Sequence, residues 1–380
     1  MKTTRLYFTA GVILLGATWQ ATAVELGDHP LNFYGSLHAS LDYLDSDISE
    51  AEAAASASDK LSSGDVSLSF NSSKIGLRGE IPTDVAGLTA FYQIEQNITP
   101  DGSSSNTWTT RNSYLGLRWQ PSDQRTAELL AGRYDSLVKG IALDYSLLKH
   151  TVADRGAILG AGANRGNALD LRVENMLLGR WQTPLAGGAL HLALQYSPDA
   201  VKSSGYVDNN QRLYVGARAD WSRAGWTLAA ATEHWQQLAL GSASGDSDSW
   251  RILARYRGAQ WTLQGLMENL RYQPDDHSIT DLDRKAWALQ SAWKSGKLTW
   301  LGSIMKAASY RHSEDTGAVM LSGGVERKLS KSLKTYGVYT RTNNDSNASF
   351  QGVDGTHGDE LATLPGRSPQ ALSAGLVLSF

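Results

Sequence analysis

Short turns flanked by tryptophan join runs of sequence in which every second residue is apolar, and this arrangement recurs along the chain. In Trp221–Trp226, for example, a four-residue turn separates two such runs. Successive side chains of a β-strand point to opposite faces, so an alternation of period two predicts strands with one apolar face. The same pattern surrounds the turns at Arg257–Gln260 and Lys294–Lys297. Aromatic residues on both sides of short turns are typical of a transmembrane barrel, in which the rings lie where hydrocarbon meets the lipid headgroups.

The first 23 residues have the three parts of a secretory signal peptide. Lys2 and Arg5 supply positive charge, Leu6–Thr18 is apolar, and Ala21–Ala23 provides small residues for cleavage. The apolar part is shorter than the roughly 20 residues that a membrane-spanning helix needs. We therefore expect residues 1–23 to be removed and residues 24–380 to form a single barrel domain.

Composition agrees with an exported barrel. The chain contains 12 Trp and 15 Tyr, yet its mean hydropathy is −0.31, because half of each barrel strand is polar. It has no cysteine, so we expect the closed hydrogen-bond ladder of a barrel to replace disulfides. Removal of Lys2 and Arg5 leaves 33 basic against 38 acidic residues. A net charge of −5 does not indicate a nucleic-acid partner.

The chain ends inside a predicted strand whose apolar face is formed by alternate residues from Leu372 to Phe380. In a soluble protein this strand would be an exposed apolar edge, whereas a barrel pairs its last strand with its first. The ending also matches the pattern polar-x-Gly-x-x-apolar-x-aromatic, which resembles the signal read by the outer-membrane assembly machinery. Its four defining residues are Ser373, Gly375, Leu378 and Phe380.

The number of hairpins predicts an all-β protein, a transmembrane antiparallel β-barrel of about 16 strands, with long loops at one end and tight turns at the other. The side-chain parity of the strand Leu333–Arg341 is left open. Polar connections are predicted at Asp45–Gly64, Asn97–Thr107, Pro198–Asn210, Gln237–Ser249, Tyr272–Asp283, Ser309–Asp315 and Asn343–Ser368.

One connection, residues 135–174, is longer and more apolar than the others. Solvent is a poor environment for this many apolar side chains, so we expect the segment to pack inside the barrel. Gly160, Gly162 and Gly166 give flexible backbone for its return to the wall. A second interpretation, an additional pair of strands, stays open. The apolar residues are Ile141, Leu143, Tyr145, Leu147, Leu148, Val152, Ile158 and Leu159.

Several motifs, in order along the whole mature chain, resemble those of the Gram-negative trimeric general porins, particularly the neisserial and β-proteobacterial type. The resemblance implies a homotrimer of 16-stranded barrels in the bacterial outer membrane, with the third loop folded inward to constrict the pore. Family members often carry an acidic run in that loop, whereas Asp144, Asp154 and Asp170 share it here with five basic residues. The motifs are Leu31–Gly35, Ser73–Gly79, Leu88–Glu95, Arg111–Leu117, Ala131–Asp135 and the terminal Phe380.

Alternation also predicts which side chains face the lumen. A basic ladder on the second, fourth and sixth strands faces the acids of the inward loop, and predicts a weak preference for anions. Each basic residue has an alternative role as a solvated lining residue or as a partner of Glu80 or Glu95. The predicted lining and constriction residues are Lys74, Arg78, Arg118, Arg180, Tyr114, Asp144 and Asp154.

These features favour an outer-membrane porin for passive diffusion of small hydrophilic solutes and ions. A channel of the same fold that prefers an organic acid or a sugar is the alternative, and a barrel enzyme is the third interpretation. No Ser or Asp is placed with a His at a shared depth, and the eight histidines lack metal-ligand spacing. We therefore expect no catalytic residues, metal or cofactor. The expected partners are outer-membrane lipid, the assembly machinery and the permeating solutes.

Overall fold

The chain forms a closed antiparallel β-barrel, as the alternation predicted. The computed structural model describes residues 24–26, 29–56, 58–100, 111–160, 169–200, 212–240, 243–276, 281–354 and 356–380; the predicted signal peptide lies outside them. The strands are β1 (Val24–Leu26), β2 (His29–Asp45), β3 (Ser63–Phe70), β4 (Lys74–Pro82), β5 (Leu88–Asn97), β6 (Ser113–Ser122), β7 (Arg125–Asp135), β8 (Arg172–Leu185), β9 (Gly188–Ser197), β10 (Tyr214–Arg223), β11 (Trp226–Leu240), β12 (Ala243–Arg257), β13 (Trp261–Pro274), β14 (Leu282–Ser295), β15 (Leu298–Ala307), β16 (Ala318–Lys328), β17 (Leu333–Asn344) and β18 (Gln370–Ser379).

Sixteen strands make up the wall, which confirms the predicted number. The three-residue β1 pairs with the start of β2. Strands β3 and β4 pair with successive parts of β2 and are separated by residues 71–73, so together they form one interrupted wall strand. The interruption includes Ser72, whose φ is 43°. Strand β18 pairs with β2 and closes the barrel.

The last strand ends on Phe380, directly against the first wall strand. Gly35 N–H donates to the Phe380 carbonyl at 2.9 Å, and Phe380 N–H donates back to the Gly35 carbonyl at 3.1 Å. The Phe380 ring covers Gly35 so closely that a Cβ there would lie 2.5 Å from it. The predicted pairing of the chain end with the first strand is confirmed.

Deleting Phe380 is expected to lower insertion into the outer membrane while export continues, because the deletion removes both these hydrogen bonds and the aromatic end of the proposed assembly signal. Phe380→Tyr keeps an aromatic end and serves as the control. Membrane fractionation with heat-modifiable gel mobility measures the effect. Wild-type amounts of folded barrel from the truncated chain would show that Phe380 has no role in assembly.

Exposed, mostly apolar side chains that face outward alternate along the wall strands with less exposed side chains that face inward; the inward set includes polar and small residues and also large apolar ones such as Leu130, Trp235 and Met320. On β11, Trp226 and Leu228 are 52% and 49% exposed, whereas Thr227 and Ala229, which alternate with them, are buried. The outward rings cluster beside the short turns; Trp261 and Trp293, for example, stack with centroids 5.7 Å apart. This end of the barrel therefore has an aromatic girdle of the kind found at a lipid interface.

The tight turns have the backbone that right-handed strand twist requires. Ala186 and Gly187 have φ of 50° and 72°, and Ala224 and Gly225 have φ of 48° and 86°. Positive φ at both central residues is the signature of a two-residue type I′ hairpin. Such turns hold β8 to β9 and β10 to β11 in fixed register.

One predicted loop is mostly strand instead. Most of Gln237–Ser249 belongs to β11 and β12, which extend to Leu240 and from Ala243. Only the ends of the predicted loop Tyr272–Asp283 belong to strands, because β13 ends at Pro274 and β14 begins at Leu282. Beyond the apolar band the outward face of a strand meets water and needs no apolar side chains, so the apolar alternation weakens although the backbone ladder continues. In the strand whose parity was left open, Tyr336, Val338 and Thr340 are buried on the inner side.

Helices are few in the described residues. They comprise α1 (Glu50–Ala55), α2 (Leu137–Tyr145) and a single 3₁₀ turn, Arg155–Ala157. None of these has the length and apolar content that a bilayer crossing would require. Helix α1 lies in the connection between β2 and β3 and has no buried residue, whereas α2 has five.

Candidate functional site

Basic side chains line the inner face of neighbouring wall strands. Lys74 and Arg78 lie on β4, Arg118 on β6 and Arg180 on β8, each on the lumen side. Tyr114 faces the same way, and its ring packs edge-on against Phe91 with centroids 6.0 Å apart. Arg111 lies two residues before β6. The five cations Lys74, Arg78, Arg111, Arg118 and Arg180 are termed the basic wall.

Glutamates connect the members of the basic wall. Glu95 on β5 accepts hydrogen bonds from Lys74 Nζ at 2.8 Å and from Arg111 Nε at 2.6 Å, and Tyr34 Oη donates to it at 3.0 Å. Glu95 is almost fully buried. Its charge is therefore neutralised at the wall and contributes little field to the passage.

Arg118 occupies a similar network closer to the short turns. Its Nε donates to Glu128 at 2.6 Å and its Nη1 to Glu80 at 2.7 Å. Arg180 Nη2 lies 2.7 Å from the other carboxylate oxygen of Glu128. The two glutamates thus hold these arginines in place across β4, β6, β7 and β8.

The wall has more positive than negative charge. Arg78 has no carboxylate within ion-pair distance in the part of the chain that the structure describes; its guanidinium lies 4.7 Å from the centroid of the Tyr34 ring. The five cations of the wall face three carboxylates, Glu80, Glu95 and Glu128. A cation over an aromatic face keeps its full charge, so the excess is presented to the lumen.

The long connection predicted at 135–174 folds against the opposite inner wall. Strand β8 begins at Arg172, so the connection is residues 136–171; its described residues, 136–160 and 169–171, are termed the inward segment. Ser136 caps α2 by accepting a hydrogen bond from Lys139 N–H. One face of α2 packs on β10, β11 and β12, and the apolar residues Val138, Ile141, Leu148, Val152, Ile158 and Leu159 are all buried. No strand occurs in residues 136–160 and 169–171; Gly162 and Gly166 lie outside the described residues.

A buried ionic network anchors the inward segment. Arg251, on the inner face of β12, is fully buried and donates to Glu268 at 2.8 Å, to Asp170 at 2.9 Å and to the Val138 carbonyl at 3.2 Å. Arg155 donates to the other oxygen of Asp170 at 2.6 Å. Removing one member would leave a buried charge unpaired, which typically costs about 3–5 kcal/mol.

The charged side chains of the inward segment differ in whether they are exposed to the lumen or buried. Asp144 is exposed and pairs with Arg218 on β10 at 2.8 Å. Asp154, predicted to line the passage, is instead buried, because it caps the 3₁₀ turn and accepts from the Gly156 and His150 amides. Lys149 is exposed on the segment and lacks a carboxylate partner among the described residues. Desolvation and nearby Lys74 lower its pKa.

The connection between β17 and β18 also folds into the barrel, which the sequence did not predict. His357 lies 3.3 Å from Asp42 on the inner face of β2, and neither side chain is exposed. Asp354 lies directly over Gly156 of the inward segment, where a Cβ would be 1.6 Å from the carboxylate oxygen. Burial, and then Asp154, raise the pKa of Asp354 to about 7. The two loops therefore meet inside the external mouth.

On the side of the short turns, the lumen opens into a cavity of about 550 Å³ beneath α2. Arg180, Arg218 and Arg255 line it. The guanidinium of Arg255 lies 4.2 Å from the ring centroid of Tyr145, at the end of α2. Glu128, Asp144 and Asp220 line the same cavity and pair with Arg180 and Arg218, so its lining contains charges of both signs.

A family model described as Gram-negative porin matches residues 10–347. The chain belongs to the Gram-negative porin family. It is an outer-membrane channel for passive diffusion of small hydrophilic solutes and ions. The family inferred from the sequence motifs is confirmed. No curated protein sequence shows significant similarity to the chain.

Solved porin structures share the fold. An anion-selective porin from Comamonas acidovorans superimposes with a TM-score of 0.71 at 18% identity, over 93% of this chain and 100% of that one. The trimer form of OmpT from Vibrio cholerae, folded in vitro, gives 0.67 at 14% identity over 93% and 99% of the two chains. OmpF of Salmonella typhi in complex with daunomycin gives 0.61 at 14% identity over 93% and 98%.

Proposed function

We propose that this porin conducts small anions in preference to cations, and that its constriction lies between the basic wall and the exposed face of the inward segment. One observation carries the proposal. Every carboxylate of the basic wall is held in an ion pair, whereas Arg78 on the wall and Lys149 on the inward segment are cations without such a partner among the described residues.

The geometry makes these charges effective. Low-dielectric walls focus the field of a charge into a narrow lumen, so one unpaired cation there changes the local anion concentration more than it would on an open surface. Lining charges also replace part of the hydration of a passing ion. The anion-selective porin from Comamonas acidovorans, which has the same fold, gives independent support.

We further propose that three barrels assemble as a homotrimer and that transport involves no catalysis. The trimer form of Vibrio cholerae OmpT supports the first point. The absence of catalysis is supported by the lumen carboxylates. Glu80, Glu95 and Glu128 form ion pairs with arginine or lysine, which suits them to act as fixed charges of the channel lining. Inhibition of the ion current by organic acids or sugars would reveal a preferred solute, the alternative within the same fold.

Changing Arg78 and Arg118 together to Gln is expected to shift the reversal potential toward cation selectivity. The substitution removes two positive charges and leaves Glu80 without its arginine partner. Lys328→Gln with Lys331→Gln, at an exposed short turn, removes the same charge outside the lumen and should have little effect. The shift should be largest at low salt, where the Debye length is about 10 Å or more. A reversal potential equal to wild type under those conditions would exclude these arginines from the narrow zone.

A further inference from the structure

The cavity beneath α2 is lined by two tyrosine rings, each with an arginine over it. Tyr145 is the last residue of α2, and the Arg255 guanidinium lies 4.2 Å from its ring centroid. Tyr134 lies on β7, and the Arg180 guanidinium lies 5.7 Å from its ring centroid. The cavity volume of about 550 Å³ lies within the range of small-molecule sites, about 300–1,000 Å³. Its size and its mixed aromatic and cationic lining therefore suit a small organic solute.

Arg255 is the arginine of this cavity that has donors available for a solute. The other two, Arg180 and Arg218, pair with carboxylates of the lining at 2.7–2.8 Å. Arg255 has no carboxylate within ion-pair distance in the described part of the chain, and its Nε donates no hydrogen bond there. A guanidinium presents its N–H groups in a fork that matches the two oxygens of a carboxylate. Arg255 is therefore suited to bind a carboxylate group.

Hydrogen bonds hold the Tyr145 ring in place against Arg255. Tyr145 Oη donates to Asp220 at 3.1 Å, and the Tyr145 carbonyl accepts from Gln264 Nε2. Gln264 lies directly opposite Arg255 in the pairing of β12 with β13. The ring and the guanidinium are thus positioned by the wall itself. Such preorganisation lowers the entropy that is lost when a solute binds.

A row of aromatic rings on the inner wall leads into the cavity. Phe91, Tyr114 and Tyr134 lie on the successive strands β5, β6 and β7, with neighbouring ring centroids 6.0 and 5.6 Å apart. Arg118 of the basic wall lies over Phe91, with its guanidinium 4.8 Å from the ring centroid. A solute that moves along the basic wall therefore meets rings as well as cations, and such a surface favours a flat apolar group that carries negative charge.

The charges of the cavity favour a solute with a single negative charge. Three arginines and three carboxylates line it, so the charges of these groups balance. Asp144 is exposed, and Asp220 lies in the same lining. A second negative charge on the solute would lie near these carboxylates without a free cation to receive it, and like charges repel strongly beside a low-dielectric wall.

We propose that this cavity binds aromatic monocarboxylates, with the carboxylate on Arg255 and the ring against Tyr134 and Tyr145. The proposal rests on the proposed anion preference, because a solute from outside passes the basic wall before it reaches the cavity. It names the substrate class of that same passage. Benzoate is the simplest solute of the class.

Block of the KCl current by benzoate in a planar bilayer at neutral pH tests the proposal. Acetate has the same charge without the ring, and phthalate has the ring with a second charge. Benzoate should reach half-maximal block at a concentration at least about tenfold lower than either. Arg255→Gln should raise that concentration at least about tenfold, because it removes a charge-assisted hydrogen bond. Arg257→Gln, exposed two residues further along β12, removes equal charge outside the cavity lining and should behave like wild type.

Equal half-blocking concentrations of benzoate and acetate would overturn the proposal, and so would equal block of wild type and the Arg255→Gln variant by benzoate. Phthalate that blocks as well as benzoate would contradict the assignment to singly charged solutes. The reversal potential in a KCl gradient is the check on folding for each variant, and its sign should stay that of wild type because Arg78 and Lys149 are unchanged. That sign also tests the proposed anion preference separately, whereas the comparison of benzoate with acetate reports on the cavity alone.

Discussion

Replacing residues 140–160 with a short Gly/Ser linker is expected to raise single-channel conductance at least about twofold, because the inward segment occupies lumen cross-section that ions would otherwise use. Larger sugars should also enter liposomes in a swelling assay. The wall should tolerate the change, because Arg251 and Glu268 still pair with each other at 2.8 Å and become hydrated.

The matched control replaces α1, Glu50–Ala55, with the same type of linker. This helix has no buried residue, so its replacement should leave conductance close to wild type. Unchanged conductance in correctly folded protein lacking residues 140–160 would place that segment away from the conducting path. The current would then have to pass a part of the lumen that the segment does not narrow.

Raising the pH from about 4 to about 8 is expected to increase conductance by about half or more, as the contact between the two inward-folded loops weakens. The pKa of Asp354 is raised from 3.8 to about 7 where the loops meet, so the docked state binds its proton more tightly than the undocked state. The stabilisation is complete below pH 3.8 and is lost as the pH rises through about 7. Asp154 and Arg155 of the inward segment are the charged groups that face Asp354.

Asp354→Asn keeps the shape of the side chain without the charge and should hold conductance near the low-pH value throughout. Glu360→Gln is the control: it removes a carboxylate of the same loop whose partner, Lys60, is exposed, and surface pairs of this kind contribute little. A wild-type conductance that does not change with pH, or an Asn variant that responds like wild type, would exclude Asp354 as the responsive group.

Much of the wall could be predicted because each side chain position has one of two environments. The alternation placed Lys74, Arg78, Arg118 and Arg180 on the inner face, and the apolar ending of the chain predicted the pairing of Phe380 with the first strand. The apolar content of residues 135–174 likewise indicated packing inside the barrel. In each case a local pattern reports directly on burial.

The charges could not be assigned in the same way, because ion pairing depends on which strands and loops meet. Asp154 is a loop carboxylate like Asp144 in the sequence, yet it caps a turn in the interior. Arg251 and Glu268 have the parity of lumen residues and gave no sign that they would anchor the inward segment. The β17–β18 connection folds inward through contacts of His357 and Asp354. These are two polar residues within a polar stretch, so the sequence does not distinguish them from residues of an external loop.

The reversal potential of the wild-type porin in a planar bilayer tests the proposed function most directly. An about tenfold KCl gradient with the dilute side near 0.1 M keeps the Debye length close to 10 Å on that side. Arg78 and Lys149 lie beside the passage without carboxylate partners among the described residues, so chloride should cross faster than potassium. The reversal potential should therefore have the sign of an anion-selective channel. A potential of zero, or one with the sign for potassium, would contradict the proposal that these side chains set the selectivity of the channel.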